Sequence, residues 1–130
     1  MKTVLIFALL INTSFCFGQL SKNKYKIVHS EKDSKGLINS LDVLVPNMSV
    51  IKSVNKQLFD KYKNTGIVTF QIYYFDDLKV ALMYRKVIFD KNLSDEKLDK
   101  MAQHLIGKFE YNSYLNPNQS LKIGRDADMI

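Results

Sequence analysis

Few residues in this chain of 130 have both the type and the spacing to do chemistry. Asp76-Asp77 is a carboxylate pair of the kind that holds a hard cation or divides acid and base roles. Adjacent residues of an extended chain diverge, however, and no third ligand stands nearby in sequence. Asp-Asp is also ordinary turn chemistry, so a turn is the expected role. His29 and His104 are the only histidines. They share no His-x-His or His-Glu-x-x-His spacing, so neither is assigned to zinc. A hydrolase built on Asp76, Asp77 and a histidine requires His29 or His104 within hydrogen-bond reach of those carboxylates. The sequence has no Gly-x-Ser-x-Gly and no glycine-rich phosphate loop, and no cofactor or metal is expected.

Binding chemistry is better represented. Tyr111 and Tyr114, with Asn112, Asn116 and Asn118, combine rigid aromatic area with adaptable amides, as recognition loops do. Tyr73, on a strand whose second face is mixed, extends that surface if the helices cover the first face. Lys52, Lys56 and Lys63 form one helical ridge, and Lys22, Lys24 and Lys26 alternate along the first strand. Together these lysines make either a basic patch for an acidic partner or a solvated face that keeps the chain soluble. The formal net charge is +6, yet Arg85 and Arg125 are the only arginines. Phosphate recognition favours the arginine fork over the strongly hydrated lysine, which argues against nucleic acid. Asn47, Asn92 and Asn118 each open an Asn-x-Ser triplet; two of the three stand where helices start and are read as caps.

The N-terminus has the layout of a secretory signal peptide: Met1-Lys2-Thr3, an apolar run from Val4 to Ile11, then small residues before a cut after Gly18. The expected division is a leader over 1–18 and one small domain over 19–130. Lipidation of Cys16 is the minority alternative, disfavoured by Phe15 before it. Cys16 is the only cysteine. Once the leader is removed, a disulfide scaffold, a thiol nucleophile and a cysteine metal site are all excluded.

Positioning such residues falls to a strand over Gly66–Phe75. Val68, Phe70, Ile72 and Tyr74 make one apolar face, and Ile67, Thr69, Gln71, Tyr73 and Phe75 a mixed one. Before it, Tyr25–His29 and Leu37–Val45 read as a strand hairpin around a charged turn, ended by Pro46. Met48, Ile51, Val54, Leu58, Phe59 and Tyr62 form the stripe of an amphipathic helix, with Gly66 as its left-handed stop. That makes a β-α-β unit with parallel strands. The β-branched and aromatic content of Lys79–Phe89 favours a strand over a helix. Ser94 caps a helix whose stripe runs Leu98, Met101, Ala102, Leu105, Ile106 and Phe109. Asn112–Gln119 follows as a loop, and Ser120–Ile123 as a short last strand.

The expected fold is α+β: an open sheet with its helices on one face, in a ferredoxin-like, split β-α-β arrangement with an extra N-terminal strand. The expected function is that of a small exported, non-enzymatic recognition protein of the inhibitor, immunity or accessory type. Its partner would be a protein or an anionic envelope surface, bound through Tyr73, Tyr111, Asn112, Tyr114 and Asn116 with Lys52 and Lys56. A small-ligand sensor or carrier with a pocket between sheet and helices is the alternative, and the hydrolase comes third.

Overall fold

The computed structural model describes residues 25–125; the leader with Cys16, and Lys22 and Lys24, lie outside them. Strands β1 (Lys26–Lys32) and β2 (Ile38–Leu44) pair antiparallel. A single 3-10 turn, Met48–Val50, is capped by Asn47, whose side chain accepts from the Ser49 N–H, and leads into helix α1 (Ile51–Tyr62). Strand β3 (Thr69–Phe75) returns parallel to β2, so the expected β-α-β unit forms. Gly66 lies between α1 and β3 at a φ of +93°, the left-handed region in which glycine carries no Cβ penalty.

The second half of the chain departs from expectation. Leu78–Val87 is a helix, α2, not a strand. Asp77 caps it: its carboxylate accepts from the Val80 N–H, and the backbone runs helical from there. Helix α3 (Asp95–Ala102) begins where expected, with Ser94 accepting from the Lys97 N–H, but it ends before His104. Leu105–Asn112 is strand β4, antiparallel to β3, and β5 (Gln119–Ile123) completes the sheet. Leu105, Ile106 and Phe109 therefore belong to a strand rather than to the stripe of a helix.

Sheet order is β1-β2-β3-β4-β5, and β2–β3 is the one parallel pair. The protein is thus α+β with an open five-stranded mixed sheet, but its strands follow chain order and are not interleaved as in a split β-α-β fold. The physical reason is that Lys79–Phe89 supplies no strand, so no second β-α-β unit exists to interleave.

The helices also divide between the two faces instead of sharing one. Leu41 and Val43 of β2, Phe70, Ile72 and Tyr74 of β3 and Phe109 of β4 pack with Ile51, Val54 and Leu58 of α1. Residues of the opposite parity, such as Phe75, pack with Ala81 and Tyr84 of α2 and Met101 of α3. A register shift in β4 between the partners of Tyr74 and Phe75 breaks the alternation, so that Ile106 joins Phe109, three residues on, in the α1 cluster while Leu105 enters the other. Gly107 stands opposite Tyr74, and a Cβ there would come within 2.9 Å of Ile51 Cδ1. The close seating of α1 on the sheet depends on that missing atom.

Among the described residues, the main core encloses one side-chain hydrogen bond. The Tyr74 hydroxyl donates to Asn55 Oδ1 at 2.8 Å, and burial pushes its pKa well up. Replacing Tyr74 by Phe leaves the Asn55 oxygen in the core without that donor. The expected loss is about 1–3 kcal/mol, seen as a lower urea midpoint at unchanged slope. An unchanged midpoint would mean that water reaches Asn55.

Candidate functional site

The second face of the sheet is ordered by cross-strand rows. One row runs Asp42, Tyr73, Lys108, Lys122, and the next runs Ser40, Gln71, Glu110, Ser120. At the β2 end these rows are closed by α2. Asp42 is only 1 % exposed, and Arg85 grips it with both arms of its guanidinium: Nε donates to Oδ2 at 2.7 Å and Nη2 to Oδ1 at 2.9 Å. Nη2 also donates to Ser40 Oγ at 2.6 Å, and Nη1 lies 2.7 Å from Glu31 Oε1. Burial works against the Arg85 charge, but Asp42 and then Glu31 more than offset it and push the pKa up. For Glu31 burial is the largest single effect and raises the pKa, but Arg85 and His29 together outweigh it, and the pKa is lowered.

Away from β2 no described helix covers the face. Tyr73 marks the boundary. Its ring lies 5.7 Å from that of Tyr84 on α2, with the Arg85 guanidinium 6.0 Å and the Lys108 ammonium 5.5 Å from its centroid. Its hydroxyl donates to Gln71 Oε1 at 2.8 Å, and Lys108 pairs with Glu110 at 3.0 Å. These contacts hold long polar side chains in fixed orientations on an open sheet.

Beyond Gln71 the face ends in a recess of about 230 Å³, floored by Thr69, Gln71, Glu110 and Asn112 and walled by Leu115 and Pro117. The wall is the segment joining β4 to β5, and its backbone is tied down. The Asn112 N–H donates to the Asn118 carbonyl at 2.9 Å, the Ser113 N–H to the Val68 carbonyl at 2.9 Å, and the Tyr114 N–H to Asn112 Oδ1 at 3.0 Å. Tyr114 and Leu115 stand out from it at 83 % and 61 % exposure. Large apolar side chains held this far into solvent on a fixed backbone are suited to docking into a partner.

The expected site is therefore brought together only in part. Asn112, Tyr114 and Asn116 share this end of the molecule, Asn112 as the hydrogen-bonding pivot of the segment and Asn116 exposed upon it, whereas Tyr73 lies against α2 and is linked to the recess through its bond to Gln71. Tyr111 borders the recess, but its ring turns to the α1 side and packs 5.0 Å from Phe59, so it serves the core. Lys52 and Lys56 sit on α1, which covers the opposite face, and do not join the loop. Lys56 and Lys63 instead flank Asp60 at 3.0 and 2.9 Å, and those bonds, Lys63 first, lower its pKa. Sequence reasoning missed Asp42 and Arg85. The available signals were a carboxylate within a strand otherwise rich in apolar residues, and a rare arginine in a lysine-rich chain.

The condition set for a hydrolase is met in one respect. His104 Nδ1 lies 2.8 Å from Asp76 Oδ1 at the C-terminal end of β3. A carboxylate only accepts, so Nδ1 carries the shared proton and the ring is held in place. Asp77 is spent on the α2 cap, and among the described residues no hydroxyl or thiol side chain lines the cavity beside His104. No group of three or more potential metal ligands occurs among the described residues. His29 lies on β1, 3.5 Å from Glu31, and joins the Arg85 network rather than Asp76.

Replacing Arg85 by Met removes the counter-charge of a buried carboxylate. It should cost about 3–5 kcal/mol in urea unfolding, most of it recovered when Asp42 becomes Leu in the same chain. A single variant as stable as the parent would show that Asp42 needs no partner. Glu31 tests the sign of the same network. A carboxyl with a lowered folded pKa stabilises above its unfolded value, and that contribution is lost as pH falls through the folded one. Glu31→Gln should therefore flatten the acid limb of the stability–pH curve and leave the basic limb unchanged. No protein-family model, curated protein or solved structure matches this chain significantly, so its functional reading rests on its own residues.

Proposed function

We propose that this chain is a small exported recognition protein, non-enzymatic, that docks a protein partner with the segment between β4 and β5 and the open sheet beside it. The observation that carries the proposal is the fixed backbone of residues 112–118, from which Tyr114 and Leu115 project beside a polar recess. Pre-organisation of this kind removes the ordering cost that a flexible loop meets on binding. Exposed anchors with satisfied polar groups around them suit an inhibitor, immunity or accessory protein whose partner offers an apolar pocket rimmed by hydrogen-bonding groups. Export rests on the leader pattern of residues 1–18. No described helix is long and apolar enough to cross a membrane.

The test is a crosslinked pull-down from the native host, with the intact bait weighed. Tyr114→Ala with Leu115→Ala should reduce capture of a stoichiometric partner at least about tenfold, the scale of losing one interface anchor. Charge reversal at Lys52 and Lys56 should leave capture unchanged. Capture that survives the loop substitutions overturns the docking surface. The bait mass separates cleavage after Gly18 from a lipid on Cys16.

A further inference from the structure

A second concavity lies at the other end of β3, between α2 and α3. It encloses about 290 Å³, and its lining includes Lys79, Lys97, Lys100 and His104 together with Val80, Met83 and Met101. We propose that it is a binding site for a small organic anion, one carboxylate or phosphate group on a short apolar body.

Charge sets the first half of that chemistry. Three lysines line the cavity against one acidic residue, Asp77, whose carboxylate already accepts from the Val80 N–H. None of the three lysines forms an ion pair with another described residue, whereas Lys56, Lys63 and Lys108 all do. Like charges gathered at one concavity repel one another, and an anion between them relieves that repulsion. Packing sets the second half. Val80, Met83 and Met101 give an apolar wall, and methionine adapts to irregular ligand shapes. His104 is held by Asp76 at 2.8 Å, so its ring lines the site without swinging in to fill it. At roughly 30 Å³ per water molecule, the space holds on the order of ten non-hydrogen atoms. That matches a short fatty acid or an aryl phosphate in size.

The probes are octanoate and phenyl phosphate, with 1-octanol as the uncharged control, titrated into the full mature chain and followed by amide chemical shifts. Both anions should give saturable shifts confined to Lys79–Met83 and Lys97–His104, and octanol none. The double variant Lys97→Gln and Lys100→Gln, two exposed positions on α3, should weaken binding at least about tenfold, since charge-assisted hydrogen bonds are worth about 1.5–3 kcal/mol. Vesicles of phosphatidylglycerol and of phosphatidylcholine separate the two sources of such an anion. Sedimentation with the former alone, lost in the double variant, assigns a lipid headgroup; no sedimentation assigns a free metabolite. Absence of saturable shifts with both anions, or equal binding by the double variant, overturns the proposal. Neither result touches the docking segment at residues 112–118, whose test uses other residues and another readout.

Discussion

A carboxylate with 1 % of its surface exposed cannot stay charged in a sheet without a counter-charge delivered to it, and Asp42 is such a group. Arg85 supplies that charge through a two-armed contact, and only a helix lying across the second face brings it there. This one requirement orders much of the rest. It fixes α2 over β1 and β2, buries β2 on both sides and turns a two-layer arrangement into three layers. The network extends to Ser40 and Glu31, so α2 is tied to two strands by hydrogen bonds of defined direction. Apolar contacts alone, such as Tyr84 against Phe75, would leave the helix free to slide by small steps; the arginine fork does not.

Seating α2 at the β2 side leaves the rest of that face bare. From Tyr73 outward the rows carry Gln71, Lys108, Glu110 and Ser120, and several of these side chains are already engaged with one another. A face of this kind does not draw a partner by apolar area. The exposed apolar groups are set at its edge instead, on Tyr114 and Leu115, and the backbone bonds around Asn112 hold them there. On the docking role proposed above, the edge would anchor a partner and the polar lattice would reject partners that leave its groups unpaired.

The sequence made the first half of the fold legible because each segment there obeys a single period. The strand alternation of Leu41 and Val43, the helical stripe of Ile51, Val54 and Leu58, and the alternation of Phe70, Ile72 and Tyr74 have no competing reading. The second half is ambiguous in physical terms. Val80, Leu82 and Tyr84 alternate as a strand would, and the feature that decides for helix is the Asp77 side chain bonded to the Val80 N–H, three residues on. Leu98, Met101, Leu105, Ile106 and Phe109 fit one helical stripe, yet they are divided between a helix and a strand. Gly107 weakens the helical reading, and Phe109, Glu110 and Tyr111 alternate in burial. A register shift at Leu105–Ile106 then hides the strand period. The site was legible only where local chemistry made it. The Tyr114–Asn116 segment stands out by composition alone, whereas the Lys97, Lys100 and His104 cavity depends on how two helices meet.

The two concave regions stand at opposite ends of β3, one around Thr69 and Gln71 and the other beside Asp76 and Asp77. Seven strand residues at about 3.3 Å each separate them by roughly 20 Å, too far for a small ligand in one to touch a partner in the other. Any coupling has to pass through an element that contacts both. Strand β3 runs from one to the other, and helix α2 is linked to both ends of it, since Val80 and Met83 wall the cavity while Tyr84 and Arg85 hold Tyr73, whose hydroxyl orients Gln71 at the recess. The Arg85–Asp42 contact pins α2 midway along this path, so a ligand under Met83 tilts the helix only by straining a buried ion pair. The geometry therefore favours independence of the two proposed sites over a ligand-gated docking surface.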